Sequence, residues 1–203
     1  MNKFFNKEII SQDFLEKIYS DSNVYPDKFS IDIPFLGLKL SDIKVVILDE
    51  YPCRNNNGLA FSTSEIKLNN TIKNIFLEIK NNTGIENKIG DLTSWKYQGI
   101  LLLNATPVCN KNFNPTHYES EFKNKTKKII LELSKQCDSI IFVMWGNKIQ
   151  RYAGLIDKRH TILSSSHPNP HSSNISFMGN NHFSRINEIL EKQGKTKINW
   201  STN

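Results

Sequence analysis

Cysteine is scarce in this chain. Cys53, Cys109 and Cys137 are the only three among 203 residues, and no two have Cys-x-x-Cys spacing. An odd, scattered set excludes a disulfide framework and a four-cysteine metal or iron–sulfur site. It points to a reducing, intracellular setting. Long apolar runs are also lacking: no stretch approaches the ~20 residues that a membrane span needs. The opening MNKFFNKEII carries charge early and has no small-residue cleavage site, so no signal peptide is expected. Internal repeats and low-complexity linkers are absent, and NNNG at 55–58 reads as a turn. Nothing calls for a metal or another cofactor.

What the chain does have is positive charge, +6 at neutral pH, with lysine dominating. A basic balance suits a polyanionic partner, and it also serves ordinary solubility. Apolar spacing supplies the architecture. Ile10, Phe14 and Ile18 recur every four residues, as on a helix face. Ile72, Ile75, Phe76 and Ile79 mark a second helix, Phe122, Ile129, Ile130 and Leu133 a third, and Phe183, Ile186, Ile189 and Leu190 a last. Between them lie unalternating apolar runs at 45–48, 100–103 and 140–145, and a short TILSS at 161–165. Such runs suit parallel strands covered on both faces. The expectation is an α/β fold, a three-layer α/β/α sandwich with a central four-stranded parallel sheet. One domain, 1–203, is expected, with 1–40 an N-terminal helical segment and 41–203 the core.

Every predicted strand ends in something polar: DEYPC, NATPVC, WGNK and SSSHPNP. In open α/β sheets ligands sit at the C-terminal strand ends, so these loops should converge. Asp49 and Glu50 either end a strand or do chemistry there. His167 stands where the fourth strand stops, in a turn stiffened by prolines on both sides of Asn169. Asn104 can bond the next turn, or read a base edge with its donor and acceptor. Phe61 can be core or a stacking platform. Serines and backbone N–H groups around His167 suit phosphate contacts.

Together these stretches resemble the uracil-DNA glycosylases of the family 1 type, from about residue 40 to 200 and in the same order. KVVILDEYP looks like the strand and water-activating loop VVILGQDPYH, and GLAFS like GLCFS. NNTIKNIFLEI resembles PPSLxNIYKEL, and QGILLLNATP resembles QGVLLLNAVLT. IIFVMWG is similar to FLLWG, SSSHPNPHS to TAHPSPLS, and GNNHFSRINEILEKQGKTKINW to GCxHFSKxNExLxxxGxxPIDW. The resemblance implies a DNA N-glycosylase that flips deoxyuridine from DNA and hydrolyses its N-glycosidic bond in base excision repair. Phe61 would stack on the base, Asn104 read its polar edge, and His167 donate to the uracil oxygen as charge builds there. Thr71, Ser166, Asn169, His171 and Ser172 would meet the DNA. Uracil-containing DNA, single- or double-stranded, is the implied partner of a monomeric, intracellular protein. A DNA-mimicking protein inhibitor is another.

The catalytic loop departs from the family pattern. Aligned on the proline, Tyr51 stands for the family's aspartate and Cys53 for the tyrosine that rejects thymine. A tyrosine is neutral at pH 7 and cannot replace a carboxylate anion. Family 4 relatives carry a glutamate one residue earlier, where this chain has Glu50. That expectation gives Glu50 the catalytic acid role, with Asp49 as substitute, and lets Tyr51 refill part of the space around Cys53. His171 replaces the leucine wedge. These changes imply lower or altered activity. Two alternatives stand beside uracil excision: a weak or inactive homologue kept as a DNA- or protein-binding replication module, and a glycosylase for another damaged base.

Overall fold

The computed structural model describes residues 11–169 and 177–203. Helix α1 (Gln12–Tyr19) comes first, its N-terminus capped by Ser11. The strand β1 (Val24–Tyr25) and a 3-10 turn at Lys28–Ile31 follow. The core then runs β2 (Val45–Asp49), α2 (Asn70–Thr83), α3 (Thr93–Lys96), β3 (Ile100–Asn104), β4 (Cys109–Asn110), α4 (Glu119–Gln136), β5 (Ile141–Trp145), α5 (Asn147–Gln150), β6 (Thr161–Ser165) and α6 (His182–Lys192).

The main sheet has four strands in the order β3-β2-β5-β6. All its pairings are parallel and unslipped, with Val45 beside Ile100 and Ile141. Residues of β2, β3 and β5 are buried along their whole length, which is why their sequences need no alternation. Alternation reappears in what each residue touches. Val45, Ile47, Ile100, Leu102, Ile141 and Val143 pack with α2 and α6. Val46, Leu48, Leu101, Leu103, Phe142 and Met144 pack on the other face with Ile129, Ile130 and Leu133 of α4. This is the expected three-layer sandwich. A smaller core joins Phe14, Leu15 and Ile18 of α1 to Val108, Tyr118 and Phe122.

The pairing of β1 with β4 is antiparallel and two residues long, Val24 with Asn110 and Tyr25 with Cys109. It ties the N-terminal segment to the loop after β3. Helix α2 begins at an asparagine cap, with Asn69 Oδ1 accepting from Ile72 N at 3.0 Å. It ends at Gly84, in the left-handed conformation that glycine tolerates.

Candidate active site

A cleft of about 580 Å³ opens at the C-terminal end of β2, beside the loop that follows β6. Asp49, Glu50, Tyr51, Phe61, Thr71 and His167 are among its walls. Asp49 is the last residue of its strand and only 8% exposed. Its Oδ1 accepts the Glu50 backbone N–H at 2.7 Å and faces His167 Nε2 at 3.2 Å. His167 Nδ1 accepts the backbone N–H of Asn169 at 3.0 Å. A nitrogen that accepts carries no proton, so the neutral ring holds its proton on Nε2, toward Asp49. The proline-stiffened turn thus fixes the tautomer. Close approach of this turn depends on Gly146, whose φ is +97° and where a Cβ would stand 3.1 Å from that of His167.

Phe61 lies between them and the core. It is 4% exposed, with ring centroids 5.4 Å from Trp145 and 5.8 Å from His167. Its backbone is left-handed, φ 63°, which a bulky residue seldom adopts. Asn56 holds that turn. Its Nδ2 donates to Leu59 O at 2.7 Å and Ser62 O at 2.8 Å, and its Oδ1 accepts from Gly58 N at 2.9 Å. The backbone N–H of Asn56 in turn donates to Tyr25 Oη at 2.6 Å. The NNNG stretch reads as a plain turn in the sequence, and only long-range contact reveals it as the brace of Phe61.

Asn104 sits opposite Asp49 in the parallel register. Strand alternation puts both on the side of Val45, Ile47, Ile100 and Leu102, yet Asn104 is a wall of a small separate cavity with Gly58, Leu103 and Thr126 and not of the main cleft. Asn104 is 2% exposed, and its buried Oδ1 accepts no hydrogen bond from the described residues. A buried acceptor without a donor is costly, and such atoms in native proteins usually await a ligand or water.

Glu50 points elsewhere. Lys148 Nζ donates to Glu50 Oε1 at 2.7 Å and lies 5.9 Å from the Tyr51 ring centroid. That bond pushes the Lys148 pKa upward. Burial, then the Glu50 charge, pushes the Tyr51 phenol up, so it stays neutral. Cys53 is half-buried, with Sγ 3.6 Å from Ser62 O. Burial, then Asp49, pushes its thiol up to about 12, so it is no thiolate nucleophile.

Thr71 and Asn169 line the main cleft, and Ser166 lines an adjoining one with His167 and Gly146. His171 and Ser172 lie outside the described residues. Helix α2 grips the chain on either side of 170–176. Asn74 Nδ2 donates to Pro168 O at 2.8 Å. Glu78, fully buried, accepts from Gly179 N at 2.8 Å and Asn181 N at 2.9 Å. Nearby, Trp145 Nε1–H donates to His182 Nδ1 at 3.0 Å, and burial pushes the His182 pKa down to about 4. Among the described residues no group of three or more His, Cys, Asp or Glu is arranged to hold a metal ion.

Residues 38–191 match the model of the uracil DNA glycosylase superfamily. A uracil-DNA glycosylase of Mycoplasmopsis pulmonis is 43% identical, over 98% of this chain and 91% of its own. One of Borreliella burgdorferi is 37% identical, over 98% and 94%. Among solved structures, mimivirus uracil-DNA glycosylase superposes with a TM-score of 0.82 at 24% identity, covering 98% of this chain and 82% of its own. A Y322L form of the mimivirus protein in complex with UGI scores 0.80 at 24% identity, covering 95% and 81%.

Proposed function

Because the chain belongs to the uracil-DNA glycosylase superfamily, we propose that it flips deoxyuridine out of DNA and hydrolyses its N-glycosidic bond, releasing uracil for base excision repair. The observation that carries this reading is the Asp49–His167 pair, 3.2 Å apart beside the Phe61 ring. A flipped uracil would lie against Phe61. The Oδ1 of Asn104 would accept its N3–H, a donor that cytosine lacks. As the bond to the sugar breaks, negative charge moves onto the base oxygen, where the His167 Nε2–H can follow it. A carboxylate beside the cationic sugar stabilises it and orients the attacking water, which adds its oxygen at C1′ and gives a proton to the carboxylate, while the uracil anion that leaves takes up one proton from solvent and the carboxylate returns one to solvent.

We assign that carboxylate to Asp49, because it is the acid that meets His167. Glu50 remains the second candidate, and its bond to Lys148 argues for a part at the mouth of the cleft. Tyr51 lines the cleft and is the side chain best suited to block a thymine methyl in place of Cys53. Thr71, Ser166 and Asn169 would meet backbone phosphates, with His171 and Ser172 beyond them in the sequence. The body is family 1-like and the acid loop diverged. The protein acts as a monomer on single- or double-stranded DNA inside the cell. A DNA-mimicking protein inhibitor would cover the same face.

A gel assay tests this. A labelled oligonucleotide with one uracil, beside thymine and cytosine controls, is treated with alkali after incubation with wild type, Asp49→Asn and Glu50→Gln. Uracil-only breaks that vanish in Asp49→Asn support the assignment. Loss in Glu50→Gln alone moves the acid to Glu50. No breaks at enzyme excess from folded wild type would leave a DNA- or protein-binding module.

A further inference from the structure

A second cleft, of about 450 Å³, opens at the opposite edge of the sheet. That volume lies in the range of small-molecule sites. Its walls include Asp42 and Lys44 ahead of β2, Gly99 ahead of β3, and Lys195 beyond α6. The strands are five residues long, so this cleft and the catalytic one stand about 16 Å apart.

Lys96, the last residue of α3, is 6% exposed and lines the cleft. Among the described residues no carboxylate or hydrogen-bond acceptor meets its ammonium; the neighbour it has is the Tyr97 ring, 5.8 Å away. Desolvation draws its pKa below that of an ordinary lysine. Its stem is buried while the ammonium stays open to the cleft without a counter-charge, and a bound anion would pair it. Two more ammonium groups are pinned at the rim. Lys44 Nζ donates to Thr196 O at 3.2 Å. Lys195 Nζ donates to Asp138 O at 3.3 Å and Ser139 O at 3.0 Å. An ammonium has three donors, so both keep at least one to give. The single carboxylate on these walls, Asp42, accepts from Ser41 Oγ at 2.9 Å.

We propose that this cleft binds a phosphomonoester, its phosphate on Lys96 between Lys44 and Lys195. Tyr97, 78% exposed, and Leu36, 46% exposed, line the same cleft and offer an apolar seat for a ring attached to the phosphate. The site is separate from the glycosylase reading and does not rest on it.

The test titrates the protein with inorganic phosphate, thymidine 5′-monophosphate and thymidine, following amide resonances and heat of binding. Saturable shifts at Lys44 and Gly99 with both phosphates, and none with thymidine, are expected. Tighter binding of the nucleotide identifies a nucleotide as the source, and equal binding identifies free phosphate. Lys96→Met should weaken either by tenfold or more and leave uracil excision unchanged. Should that variant fail to fold, the rim variant Lys44→Met/Lys195→Met gives the same comparison. Equal affinity in wild type and a folded variant overturns the site, as do shifts confined to Asp49 and His167.

Discussion

At the C-terminal edge of the sheet the chain gathers carboxylates; at the N-terminal edge it gathers ammonium groups. Asp49, Glu50 and Glu65 line the first cleft, while Lys44, Lys96 and Lys195 line the second. The acidic cleft is the one proposed to receive a polyanion, so its charges must be either useful or neutralised. Asp49 is turned inward onto His167, and Glu50 is neutralised by Lys148. Lys44 and Lys195 meet backbone carbonyls and not acids, and Lys96 meets no acid among the described residues. Pairing within the chain settles the acids, and the proposed phosphate would settle the lysines.

Five changes break or sharpen this contrast. The largest effect is expected at the acidic edge. Asp49→Asn should cut single-turnover uracil excision by about 10²-fold or more, the scale of a positioned catalytic group. His167→Ala should cost a similar factor through the lost donor and leave DNA binding nearly intact, checked by gel shift. Equal loss of binding and excision would mark the histidine as structural.

Acid should loosen the same edge. His182 is held neutral by burial, with its pKa down from 6.5 to about 4. The unfolded chain therefore takes up this proton first. Stability from this group is complete above pH 6.5, falls as pH drops toward 4, and levels below it, with about 3 kcal/mol lost at most. Urea unfolding of wild type and His182→Gln across that window isolates this histidine.

Smaller effects concern the balancing of charge. Lys148→Met should raise KM several-fold at low salt with kcat little changed, because it exposes Glu50 to the DNA phosphates. Adding Glu50→Gln should return KM toward wild type, and failure to do so would mean that Lys148 contacts DNA directly. At the basic edge the sign reverses. Lys96→Met, without added phosphate, should raise Tm slightly, because it removes a partly desolvated ammonium that meets no acid and keeps the buried stem.

The strands were legible because burial on both faces writes itself as an apolar run, as VVIL, ILLL and IFVM do. Helix faces were legible from spacing, with ends off by a few residues: the Phe122–Leu133 pattern grew to Glu119–Gln136. The β1–β4 pairing was invisible, since two residues carry no period. Which loops would converge could be read; which acid would meet the histidine could not. Asp49 and His167 are 118 residues apart, and only the assembled sheet brings them together. Glu78 looks like the polar side of a helix, yet the chain at Gly179–Asn181 covers it completely.

That grip has a consequence for how the protein can change. Asn74 and Glu78 are one helical turn apart, so α2 sets the chain's departure at Pro168 and its return at Gly179 about 6 Å apart along its axis. Pro168 and Gly179 are therefore two terminals fixed on one helix. One helix thus keeps His167 on one side and the Trp145–His182 bond on the other in a common frame, so a substitution in α2 that tilts it would retune both at once.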